Sequence, residues 1–167
     1  MKAEIKYYAK ELLNIALPII MGNLGFILIG AGDVLIAAKH STDTLAAISI
    51  ANAIISVILT FGIGLIASVS PILSNIRGER KSAKKYFFPT IRFSMILAVI
   101  TMIAILVTIP VIDYLHFEEK LVPHIKEYMF ITAFSTFGVY LQSCLKEFLQ
   151  AFEIVFIPNL VNVFGVF

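Results

Sequence analysis

Among the 11 acidic residues of the sequence, Asp33 alone interrupts a long apolar run, in Ile29-Gly-Ala-Gly-Asp-Val-Leu-Ile-Ala37. The others fall in polar stretches or within a turn or two of the end of a run. A carboxylate at the centre of a bilayer costs about 3 kcal/mol, so such a group normally faces a cavity or the interior of a helix bundle and marks the path of an ion or substrate. Its chemistry is to take up and release a cation or a proton. A second reading stands beside this one. Asp33 is five residues from Ala38, about 8 Å along a helix axis, and could reach interfacial water there. At 100° per residue, Gly22, Phe26, Ile29 and Gly30 share its face, with Pro18 at the edge of the sector. Two glycines on one face leave room either for a close neighbouring helix, the small-residue seam common in membrane bundles, or for a hydrated chamber beside a bend at Pro18.

The remaining polar residues inside apolar runs carry less. Ser49, Ser56, Thr60, Ser68 and Ser70 are hydroxyls of the kind that bond their own backbone, and Asn52 is the exception among them. Tyr140 and Gln142 could line a cavity, or stand near the inner interface where tyrosine is common. His40, His116 and His124 have no ligand-spaced partners, so no metal site is expected. The single Cys144 can form no internal disulfide. No activated nucleophile, phosphate-binding loop or carboxylate pair is present, and Gly62-Ile-Gly64 continues a helix instead of joining a strand to one. Neither enzyme activity nor an organic cofactor is expected.

The elements that position these residues follow from composition. Hydrophobic residues make up 59% of the 167 and charged ones 14%, against about 45–50% and about 25% in a soluble domain; the mean hydropathy is +0.94. Too few polar side chains remain to cover a water-facing surface. The formal net charge of +2, with no basic face, excludes nucleic acid as a partner. Runs of about 20 apolar residues, enough to cross a roughly 30 Å core, predict spans at 12–38, 45–73, 93–112 and 128–145. A further run, 157–167, is too short to cross. The sequence thus predicts an all-α polytopic membrane protein of four spans and an incomplete fifth. Lys2, Lys6 and Lys10 before the first run, and Arg77, Arg80, Lys81, Lys84, Lys85 and Arg92 between the second and third, put the amino terminus in the cytoplasm by the positive-inside rule. The same basic segment also suits contact with anionic lipid. Pro89, Pro123 and Pro158 sit where runs open, whereas Pro18 and Pro71 lie inside runs and are expected to kink them.

With these residues in order, the chain resembles the multidrug and toxic compound extrusion (MATE) family. Glu11-Leu-Leu-Asn-Ile-Ala-Leu-Pro18 is similar to that family's entry into its first helix, and Asp33 lies where the family carries an acidic residue. Thr44-Leu-Ala-Ala-Ile-Ser-Ile-Ala-Asn52 resembles the start of its second helix. Phe61-Gly-Ile-Gly-Leu, Ser70-Pro71 and Asn75-Ile-Arg-Gly-Glu-Arg-Lys-Ser-Ala-Lys84 resemble the end of that helix and the basic loop behind it. The resemblance implies two six-helix lobes around a cavity, of which residues 1–167 would be part of the first, and export of drugs or other amphipathic organic cations in exchange for sodium ions or protons. Asp33 would be the coupling-ion or proton site and Pro18 the bend that responds to it, with Asn52, Tyr140 and Gln142 as possible cavity lining. The implied setting is multi-pass in the cell membrane, such as a bacterial inner membrane, among lipids and with a missing carboxy-terminal lobe as required partner. Three alternatives were weighed: a small dimeric four-helix exporter, a lipid-linked oligosaccharide flippase relative, and a non-transporting membrane interaction subunit.

Overall fold

The computed structural model describes residues 2–79 and 82–164; the side chains of Asp33 and of some other positions, mostly in the first and last helices, lie outside that description. Six α-helices follow one another: α1 (Lys2–His40), α2 (Thr42–Ala67), α3 (Val69–Gly78), α4 (Phe87–Thr108), α5 (Val122–Gln150) and α6 (Phe156–Phe164). Short 3-10 helices at Ala83–Tyr86 and Ile109–Leu115 lie before and after α4. The described residues contain no strand.

Ser41 alone separates α1 from α2. Its extended backbone and its hydroxyl, which accepts from the Thr44 N–H at 2.9 Å, make it the cap of the second helix. The second predicted run is divided at Ser68, because Pro71 has no N–H to give the Ala67 carbonyl. The chain closes the joint with a tight bond from the Ser68 N–H to the Leu65 carbonyl at 3.3 Å. Pro18, by contrast, lies within α1 and does not end it. Pro89, Pro123 and Pro158 all fall in the opening turns of α4, α5 and α6, where the missing N–H costs nothing.

Among the described residues, three segments are long and apolar enough to cross a membrane: 16–40, 42–78 and 84–115. The fourth predicted span does form a helix, α5, of 29 residues, but Thr132, Ser135, Thr136, Tyr140 and Gln142 dilute its apolar run. Leu12, Ile27, Leu35, Ile36, Val57, Phe61 and Val107, among many large apolar side chains, stand exposed. In water a continuous apolar surface of this kind would drive association; lipid tails cover it at no cost.

The core lies where α2, α4 and α5 meet. In the half nearer the start of α2, Ala47, Ala51 and Ile55 of α2 pack with Ile105 of α4 and Ile125, Met129 and Ala133 of α5. Small residues at these crossings let the backbones approach, which in lipid supplies the dispersion energy that water would otherwise drive. The half nearer the end of α2 is closed by Ile66, Leu97, Ala98, Tyr140 and Cys144. Beyond it, Arg77 of α3 ties down the α5–α6 turn. Its guanidinium donates to the Ala151 carbonyl at 3.2 Å, pairs with Glu153 at 3.2 Å and lies 5.8 Å from the centre of the Phe152 ring. Glu153 has φ 64°, the left-handed conformation that ends a helix. The short α6 packs chiefly on α1.

Candidate functional site

Beside the joint between α1 and α2 lies a cavity of about 320 Å³, lined by Ile36, Ala37 and His40 of α1, Thr44 and Ile48 of α2, and Tyr128 of α5. Asn52, one turn beyond Ile48, accepts a hydrogen bond from the Tyr128 hydroxyl at 3.0 Å. That bond links α5 to α2 beside the cavity. Asp33 stands three and four residues before Ile36 and Ala37 on α1, the spacing of neighbours on one helix face; its side chain lies outside the described residues. The backbone register therefore places Asp33 and the Asn52–Tyr128 pair on elements that frame one cavity.

The other sequence candidates are distributed elsewhere. Tyr140, weighed as cavity lining or an interfacial residue, is neither: it is fully buried, its hydroxyl paired with Thr101 of α4 at 2.8 Å and pressed against Gly62 of α2. The physical reason is the glycine, whose missing side chain makes the space that the phenol fills. Gln142 lines a separate cavity of about 350 Å³ between α5 and α6, with Leu145, Lys146, Ile157 and Pro158. There the Lys146 ammonium reaches Asn23 of α1 at 3.5 Å. Of the two glycines on the Asp33 face, Gly22 is a close-approach site, since a Cβ there would lie 2.6 Å from the Asn159 Cβ, whereas Gly30 faces open space. Phe26 and Ile29 have side chains outside the described set.

Sequence reasoning missed Asn159. It is 1% exposed, donates to the Val155 carbonyl at 2.6 Å, and leaves its Oδ1 without a partner among the described residues. It borders a small cavity of about 50 Å³ with Pro18, Met21, Phe156 and Leu160. The available signal was an amide directly after Pro158, at the start of an apolar helix. Tyr128 was missed as well, because only the fold brings it to Asn52.

Ion pairs join the start of α2, the segment after α4 and the start of α5. Lys120 contacts Asp43 at 3.1 Å and Glu118 at 3.2 Å, and Lys126 contacts Asp113 at 2.7 Å. Hydrogen bonding to Asp43, then to Glu118, holds the Lys120 ammonium above its ordinary pKa. No group of three or more His, Cys, Asp or Glu able to hold a metal occurs among the described residues.

Comparison with known proteins places this arrangement. The MatE family model matches residues 18–167. The chain is similar to a multidrug resistance protein NorM of Photobacterium profundum, 24% identical over 156 residues that cover 91% of this chain and 34% of the relative. It is also similar to probable multidrug resistance proteins NorM of Bacillus licheniformis, at 22% identity over 89% of this chain and 33% of the relative, and of Bacillus subtilis, at 25% over 95% and 39%. The chain thus spans about a third of the length of the curated relatives it matches. A helical, strand-free structure with three long apolar segments agrees with that match across nearly the whole chain. It is a multi-pass membrane protein, and it belongs to the MatE family of multidrug and toxic compound extrusion transporters.

Proposed function

We propose that this chain forms part of the first lobe of a cation-coupled exporter of drugs or other amphipathic organic cations. The observation that carries the reading is the position of Asp33. It is the one acidic residue set within an apolar run, three and four residues before Ile36 and Ala37, which line the cavity beside the α1–α2 joint. A carboxylate there binds a sodium ion or a proton while the cavity is open outward and gives it up when the cavity opens inward. Neutralisation removes the cost of an unpaired charge in a low-dielectric interior, and that difference is the energy available for coupling.

Pro18 is where α1 yields, since its ring leaves the Asn14 carbonyl without the usual donor one turn earlier. The amino terminus lies in the cytoplasm of a cell membrane, because the basic residues cluster before α1 and between α3 and α4. Transport requires a second lobe, against which this one rocks; the remaining length of the relatives is the source of that expectation.

The test is Asp33→Asn in the complete transporter, followed by efflux of a fluorescent organic cation from energised vesicles. Coupled efflux is abolished while membrane insertion and expression stay normal, and Asp33→Glu retains part of the activity. Unimpaired efflux by the Asn variant refutes the assignment.

A further inference from the structure

The joint at Ser68 has a counterpart on the next helix. Where α2 stops and α3 sets off, a groove of about 290 Å³ opens between α3 and the start of α4, and its walls include Ser68, Ile72, Tyr86, Pro89 and Phe93. The walls are mainly apolar: Ile72 is 56% and Phe93 39% exposed. Three cations lie close in sequence to residues of its lining. The Lys85 ammonium lies 5.1 Å from the centre of the Tyr86 ring, which itself lines the groove; Lys84 is its neighbour; Arg92 follows Pro89 by three residues on α4, the spacing of adjacent positions on a helix face. All three are exposed, and none has an ion-pair partner among the described residues, whereas nearby Arg77 is engaged with Glu153. An apolar slot with Lys85 beside its Tyr86 wall and two further cations on the flanking residues, at the edge of a membrane-spanning segment, is complementary to one kind of molecule.

We propose that this groove is a binding site for a single anionic phospholipid, with the phosphate and headgroup against Lys84, Lys85 and Arg92 and the upper part of one acyl chain along Ile72, Pro89 and Phe93. Basic residues at a membrane surface attract anionic lipid in general, but that attraction is diffuse and exchanges freely. The groove adds a seat, so binding becomes stoichiometric and sensitive to the shape of the slot as well as to charge. The site is independent of the cavity beside the α1–α2 joint and of ion coupling.

The experiment is native mass spectrometry of the full chain released from detergent, titrated with phosphatidylglycerol or phosphatidylcholine of the same acyl composition. One phosphatidylglycerol is retained, at least tenfold more tightly than phosphatidylcholine. Each of Lys84→Gln, Lys85→Gln and Arg92→Gln weakens it about fivefold, while the charge-keeping Lys84→Arg/Lys85→Arg pair binds as the parent does. Ile72→Trp, which fills the slot from an exposed position and leaves every charge in place, weakens binding at least tenfold. The proposal is overturned by equal retention of the two lipids, by an Ile72→Trp variant that binds normally, or by displacement of the lipid by inorganic phosphate at equal concentration. The second result would reduce the site to surface electrostatics, and the third would make its ligand a free anion.

Discussion

Gly62→Ala is the sharpest perturbation of the core, because two physical effects of opposite sign meet at one atom. In a helix interior, exchanging glycine for alanine ordinarily stabilises by about 0.5–1 kcal/mol through backbone entropy. At Gly62 the new Cβ would collide with the Tyr140 hydroxyl and lie 2.6 Å from its Cζ and 2.9 Å from its Cε1. The ring has little freedom to withdraw: it is fully buried, bonded to Thr101 at 2.8 Å, and enclosed by Ile66, Leu97 and Ala98. Overpacking of this kind costs about 1–3 kcal/mol, so the net effect is a loss of about 1–2 kcal/mol. Gly64→Ala is the control on the same helix, since nothing lies within 4 Å of its Cβ, and it should stabilise by up to about 1 kcal/mol. Tyr140→Phe alone loses one interhelical hydrogen bond, about 0.6–1 kcal/mol. Combined with Gly62→Ala it should cost less than the two singles together, because removing the hydroxyl relieves the worst contact and leaves only the ring carbons. Unfolding in mixed micelles of increasing SDS content, followed by circular dichroism, measures all four variants. The reasoning fails if Gly62→Ala is as stable as the parent, if it moves with Gly64→Ala, or if the double variant is additive.

Two further expectations rest on polar groups. Asn159→Leu exchanges a buried amide with an unpartnered oxygen for an apolar group of similar shape, so stability should hold or rise by about 1 kcal/mol; a clear fall in the SDS midpoint would mean that the oxygen has a partner after all. At Lys120, Asp43 and Glu118 favour the charged form, so its folded-state pKa is raised above the ordinary 10.5. Its contribution is therefore fully present below that value and is lost only as pH climbs through the raised one. The difference in midpoint between the parent and Lys120→Gln should accordingly stay constant from about pH 5.5 to about pH 9, and a trend across that window would contradict the assignment.

Much of this fold is legible in the order of residues, and the exceptions share a cause. Apolar runs and prolines mark the helices because length, hydropathy and a missing N–H are local properties. At Pro71 the expected kink becomes a break at Ser68, whereas Pro18 stays within α1, so a missing N–H marks the place and not the outcome. Asp33 stands out for the same reason: an isolated carboxylate is conspicuous without knowledge of its surroundings. Tyr140 and Asn159 are different. A tyrosine and an asparagine in polar-flecked helices look equally suited to a cavity, and what makes both buried is a glycine on another helix, Gly62 for one and Gly22 for the other. Each pairing spans more than 70 positions of chain, and no local pattern records it. α5 shows the same limit in hydropathy: its polar side chains weaken the membrane signal, yet Thr136 and Tyr140 are buried in the helix seam, where Thr136 bonds the Ala133 carbonyl at 2.7 Å.

The contact between Gly22 and Asn159 also bears on mechanics. The core joins α2, α4 and α5 into one block through Tyr140, Thr101 and the small-residue crossings, whereas α6 rests chiefly on α1. With the Asn159 amide lodged over Gly22, four residues past Pro18, α1 cannot slide along its axis past α6 without expelling a side chain from its socket. The two helices are geared together, so an axial displacement of α1 carries α6 with it.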